Sequence, residues 1–128
     1  MIFQELSYVP DQTLEENLFL GRWPKRGGHI DWKTVRATTM ELLRQGDPSY
    51  APDTKLRSPS VLDIQMLEIL KAISYDAKIV IMDEPTSAIT NREVEKLFRK
   101  IKELKARGAS ISYISHKMDE IFRIADEI

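Results

Sequence analysis

The 128-residue chain has no cysteine, so neither a disulfide framework nor a thiolate metal site is open to it. An excess of one charge is also missing. Nineteen Lys and Arg stand against 20 Asp and Glu, and a formal net charge of −1 gives no general attraction to nucleic acid or to an anionic membrane surface. No apolar run approaches the ~20 residues of a membrane span, and no basic-then-apolar signal peptide opens the chain. Glycine is scarce at five residues, and the phosphate-loop pattern G-x-x-x-x-G-K-S/T is absent. The Gly27-Gly28 pair is followed by His29-Ile30-Asp31, with no Lys placed to reach a phosphate, and is read as a loop. What remains is the composition of one soluble globular domain, 42% hydrophobic and 30% charged.

The most informative stretch is Lys78-Ile79-Val80-Ile81-Met82-Asp83-Glu84-Pro85-Thr86. A short apolar run closed by a proline predicts a strand over 78–82, buried on both faces. Its two carboxylates then lie at the carboxyl end, where open α/β sheets bind ligands. In phosphate-cleaving enzymes such a pair divides the work: the Asp holds Mg²⁺, and the Glu lies within reach of the attacking water. The alternative is a strand end followed by a solvated Asp-Glu turn.

Local signals place the other elements. Ile2-Phe3 marks the end of a strand, and residues 4–12 a loop containing Pro10. Thr13 with Glu16 forms a capping box that opens a helix over 14–20, and 21–30 is an irregular connection. Asp31 caps a helix over 32–45 that ends at Gly46, and three prolines make 47–59 a loop. Ser60 with Asp63 opens a helix to about Tyr75. Thr90 with Glu93 caps the next, whose stripe is Val94, Leu97, Phe98, Ile101 and Leu104. Residues 109–114 form a second strand ending in Ser115-His116, and a last helix over 117–125 turns Met118, Ile121 and Phe122 inward. The strand–helix–strand order from Lys78 to Ile114 predicts a parallel crossover. It brings Asp83, Glu84 and His116 to one sheet edge.

Five ordered blocks resemble the nucleotide-binding domain of ABC transporters, and among them the first ATPase domain of the tandem subunits that energise bacterial simple-sugar import. They are residues 2–6 (IFQEL), 16–22 (ENLFLGR), 65–69 (QMLEI), 81–88 (IMDEPTSA) and 113–122 (YISHKMDEIF). The resemblance implies an α/β fold: a partial P-loop NTPase core of parallel strands with crossover helices, plus a helical subdomain at about 5–75. Residues 76–128 would hold the Walker B strand, the D-loop and the switch histidine. It implies Gln4 as the Q-loop glutamine near Mg²⁺ and the attacking water, Asp83 as metal ligand, Glu84 as general base and His116 as a contact to the γ-phosphate. Ser60, at the head of the signature helix, would bind the γ-phosphate held by a partner domain, and Ser87-Ala88-Ile89-Thr90 resembles the D-loop.

Two departures stand out. Pro59, Leu62 and Asp63 occupy signature positions where Leu, a small residue and Gln are usual. Leu62 would hinder close approach of phosphate to the backbone there. The phosphate loop and the adenine-stacking aromatic, which lie upstream of the Q-loop in the family, are not in these residues. The chain is therefore expected to be a fragment with an exposed face or unpaired edge at strand 78–82, marginally stable or self-associating. As part of a complete subunit, the resemblance implies ATP and Mg²⁺ as cofactors. It also implies a transmembrane permease and a second, head-to-tail ATPase domain as partners, with a sugar-binding protein indirectly and no nucleic acid. The location would be cytoplasmic, peripheral to the inner face of the membrane. The competing reading is a non-catalytic module that docks to the permease.

Overall fold

Thr13 starts the first helix, α1 (Leu14–Leu18): its hydroxyl accepts from Glu16 N at 3.2 Å, and the Glu16 carboxylate accepts from Thr13 N at 2.7 Å. The structure, a computed structural model, describes residues 8–46 and 48–127. The expected strand end at Ile2-Phe3 and the Q-loop candidate Gln4 lie outside the described residues. By their contacts the residues form two units, Tyr8–Ser60 and the stretch from Val61 onward.

In the first unit, the connection expected to be irregular contains a small hairpin, β1 (Lys25–Arg26) against β2 (His29–Ile30). Its two-residue loop is Gly27-Gly28, at φ 59° and 85°. A tight hairpin turn of the primed type needs positive φ at both positions, which glycine adopts without strain. Asp31 then caps α2 (Trp32–Gln45), accepting from Thr34 N at 3.1 Å and the Thr34 hydroxyl at 2.8 Å. These bonds hold the Asp31 carboxyl below its ordinary range.

Loop 48–59 is ordered by the backbone of the segment before α1. Leu14 N donates to Thr54 O at 2.8 Å and Leu56 N to Gln12 O at 3.0 Å. Asn17, fully buried, takes Val9 N on its Oδ1 at 2.6 Å and gives its amide to Val9 O and Thr13 O, both at 3.1 Å. Asn17→Ala would leave Val9 N and Val9 O, both part-buried, without these partners, while Thr13 O keeps its bond from Asn17 N. A loss of about 1–3 kcal/mol is expected in urea unfolding; a change near zero would mean that water takes the amide's place.

The second unit opens with α3 (Val61–Ser74), apolar around most of its circumference. This helix, grouped with the helical subdomain on sequence grounds, packs here with α4 (Asn91–Ala106) and shares a core with the strands. Leu62 is one of the buried members of that core, so its side chain is engaged in packing. β3 (Ile79–Asp83) and β4 (Ser110–Ile114), flanking α4, pair in parallel, with Val80 opposite Ile111 and Asp83 opposite Ile114. Val80, Met82, Leu97 and Ile101 lie at the centre of the core.

Two expectations are corrected here. β3 is buried on one face: Val80 and Met82 are inside, while Ile79 is 68% exposed and Ile114 on β4 is 49% exposed. Helices of this unit cover the inner face alone among the described residues. In α5 (Met118–Ile124) the inward residues are Glu120 and Ile124, and Met118 and Phe122 are exposed. Glu120 turns inward because polar partners await it, and Arg123 fixes the rotation of the helix. The Arg123 guanidinium pairs with Glu95 on α4 and lies 5.2 Å from the centre of the Phe98 ring. No helix among the described residues is long and apolar enough to cross a membrane.

Candidate functional site

The parallel register ends both strands together, and the chemistry-bearing residues follow at once. Glu84 N donates to Ile114 O at 2.9 Å, which carries the pairing one residue beyond β3. There the chain turns: Glu84 has φ 46°, a left-handed conformation rare for a residue with a Cβ and costing about 1–3 kcal/mol. Pro85 and Thr86 behind it are buried, and Ser87 N closes the turn on Glu84 O at 3.2 Å.

That turn aims the Glu84 carboxylate at the end of β4. Its Oε1 accepts from His116 N at 2.9 Å and lies 2.7 Å from His116 Nδ1. An ionised carboxylate only accepts, so the pair assigns the ring proton to Nδ1 and leaves Nε2 facing outward. The side chains differ in exposure, 20% for Glu84 and 78% for His116. Glu84 Oε2 is buried and has no hydrogen-bond partner among the described residues. Asp83, the preceding residue, is exposed.

Asp83, Glu84 and His116 are thus brought to one edge, as the crossover predicts. Ser60 is an exposed residue of the other unit, and Gln4 lies outside the described residues. Sequence reasoning missed a second polar cluster behind the turn, formed by Thr86, Tyr113, Lys117 and Glu120. The signal was present: Lys117, Glu120 and Ile124 share one helical stripe, which competes with the apolar stripe chosen instead.

The donor chemistry suits a divalent cation such as Mg²⁺. Among the described residues no three His, Asp or Glu cluster into a cage. Mg²⁺ is usually held by one or two carboxylates, with phosphate and water oxygens completing the shell. One exposed carboxylate at the strand end, Asp83, meets the lower end of that requirement.

Comparison with known proteins narrows the reading. The chain is 51% identical over all 128 residues to a galactose/methyl galactoside import ATP-binding protein of Photobacterium profundum. It is 52% identical over 134 positions to a putative ribose/galactose/methyl galactoside import ATP-binding protein of Rhizobium etli. Over its whole length the chain is thus similar to about a quarter of several sugar-import ATP-binding proteins. It spans 25% and 26% of the lengths of these two relatives, although the whole chain is matched. No family model matches it.

Among solved structures, a nucleotide-free ATP-binding cassette from an ABC transporter superposes with a TM-score of 0.73 at 22% identity, over 98% of this chain and 52% of its own. A dimeric cassette in a post-hydrolysis state, bound to ADP and phosphate, gives 0.67 at 21% identity, over 93% and 52%. The fold is therefore that of an ABC ATPase cassette in part: α/β, with a parallel strand pair and its crossover helix.

Proposed function

We propose that this chain is the part of an importer's ATP-binding subunit that carries the strand-end carboxylates and the histidine facing the γ-phosphate. One observation carries the proposal: a single oxygen of Glu84, the residue that follows Asp83, holds both the backbone and the ring of His116, while its other oxygen has no partner among the described residues.

The two carboxylate oxygens have different work. Oε1, engaged with His116, fixes the orientation of the carboxylate. Oε2 has no hydrogen-bond partner among the described residues but is buried, so it would take the proton of a water attacking the γ-phosphate in line once the turn opens it to that water. Asp83, with Gln4 expected near it, would hold Mg²⁺, which when bound supplies positive charge to the developing phosphate oxygens. His116 turns Nε2 outward. Because Nδ1 already gives its proton to Glu84, Nε2 donates to a phosphate oxygen only when the ring is doubly protonated. The resulting imidazolium would be held between the carboxylate and the phosphate.

The β- and γ-phosphates need a further electrostatic cradle, since no phosphate-loop pattern occurs in these residues. Turnover is accordingly a property of the complete subunit. The signature residue Ser60 would serve a nucleotide held by a second, head-to-tail ATPase domain, and binding of ATP would drive a membrane permease to move a sugar delivered by a binding protein. The names of the relatives support import of sugars related to galactose or ribose.

The experiment is His116→Ala in the complete subunit, read by phosphate release at saturating MgATP. A fall of about 100-fold is expected for loss of a positioned donor to transition-state charge. Turnover close to that of the unaltered subunit would remove His116 from the site.

A further inference from the structure

Helix α5 buries a carboxylate where its apolar residues would have served. Glu120 is 5% exposed, and its Oε2 accepts from Thr86 Oγ1 at 2.5 Å and from the Tyr113 hydroxyl at 2.9 Å. Its Oε1 lies 3.3 Å from Lys117 Nζ. That ammonium also donates to Thr86 O at 3.0 Å and lies 3.4 Å from Thr86 Oγ1. Thr86 is fully buried and stands two residues after Glu84; Lys117 directly follows His116. The segments at 84–86 and 116–120 are therefore joined twice, once at Glu84–His116 and once behind it.

We propose that Glu120 is a positioning residue: through Thr86, Lys117 and Tyr113 it holds the turn at 84–87 against the loop at 115–117, and so maintains the hydrogen-bonded pairing of Glu84 with His116.

Three features point this way. Stability alone does not call for a carboxylate at this place. A buried ion pair is often no better than well-packed apolar groups, and α5 has Met118 and Phe122 to offer, yet both stay exposed. Tyr113 anchors the cluster to the core. Its ring meets Phe98 edge-on at 6.0 Å and 82°, and burial pushes its phenol well above the ordinary value, so it remains a hydrogen-bond donor. Finally, the strained φ of Glu84 persists only where surrounding contacts over-determine it, and the cluster supplies contacts immediately behind that residue. The catalytic meaning of this role rests on the function proposed above; the geometry does not.

The test needs no nucleotide. In the complete subunit, labelled with ¹⁵N at histidine, NMR reports the His116 ring nitrogens and the exchange rate of its amide. The unaltered subunit should show a ring protonated at Nδ1 and a protected amide. Glu120→Gln, nearly isosteric, should replace that pattern by mixed tautomers and speed amide exchange by about tenfold or more, in a spectrum that stays dispersed. Thr86→Val, which keeps the shape and deletes the hydroxyl linking Glu120 to the turn, should do the same, and decides the matter where the Gln variant does not fold. A mixed tautomer in the unaltered subunit, or an unchanged His116 in a folded variant, overturns the proposal. Retained ATP turnover in a Glu84→Gln subunit would instead remove Glu84 from the base role in the proposed function and leave this result standing.

Discussion

Glu84→Gln in the complete ATP-binding subunit is expected to bind ATP normally and to hydrolyse it about 10²–10⁴-fold more slowly, the usual contribution of a general base. Glutamine keeps the length of the side chain. Its amide oxygen still accepts from His116 N, the bond made by Oε1 at 2.9 Å, so the strand ends stay joined. What it lacks is basicity at the second position, Oε2, which has no partner among the described residues and would receive the proton once water reaches it. The prediction separates two roles that a larger truncation would confuse. Fluorescent-nucleotide titration measures binding, and phosphate release measures turnover. Normal turnover would show that Glu84 only braces His116 and that another group takes the proton. Lost binding would mean that the Glu84–His116 pair shapes the nucleotide site before any chemistry.

The largest effect on stability is expected from Leu97→Ala. Leu97 is fully buried in the middle of α4, in the core that also holds Val80, Met82 and Ile101. Truncation removes apolar area from the interior and leaves a cavity that the parallel strands, fixed by their register, cannot collapse to fill. The cost should be about 2–5 kcal/mol. Typical domains are stable by about 5–15 kcal/mol. This unit leaves Ile79 and Ile114 open to solvent, so its reserve should lie toward the lower end. Urea unfolding followed by far-ultraviolet circular dichroism should lose its cooperative transition or shift it far to lower denaturant. A shift worth less than about 1 kcal/mol would mean that the core around α4 is loosely packed or readily repacks. The surface pair Lys78–Asp76, at 2.7 Å with both side chains well exposed, offers a control. Exposed pairs of this kind usually contribute little, so its removal should leave the transition nearly in place.

Much of this was legible in the sequence because it depends on local chemistry. The capping boxes at Thr13 and Thr90 fall where Thr and Glu stand three residues apart, and each begins its helix as read. The stripe of Val94, Leu97, Phe98, Ile101 and Leu104 is the buried face of α4. The apolar run into Asp83-Glu84 is a strand, and the strand–helix–strand order places His116 beside it. Periodicity and capping are set by neighbours within a few residues, and the parallel crossover adds only a rule of topology.

The sequence by itself determined the helices, the parallel strand pair, the strand-end carboxylates and the resemblance to sugar-import ATPases, but not the β1–β2 hairpin. Tertiary structure decided which face of each element is inside. β3 carries enough apolar residues for burial on both faces, yet Ile79 lies open, because burial depends on what covers a strand and not on its composition. Of the apolar residues of α5, Met118 and Phe122 are exposed and Ile124 is buried beside Glu120 on the inner face. The hydroxyls of Thr86 and Tyr113 and the ammonium of Lys117 meet around Glu120, and a buried charge is tolerated only where such partners converge. Thr86 and Glu120 are 34 residues apart, and no local pattern records that they touch. The left-handed turn at Glu84 is of the same kind, a strained conformation kept by contacts from the neighbouring strand end.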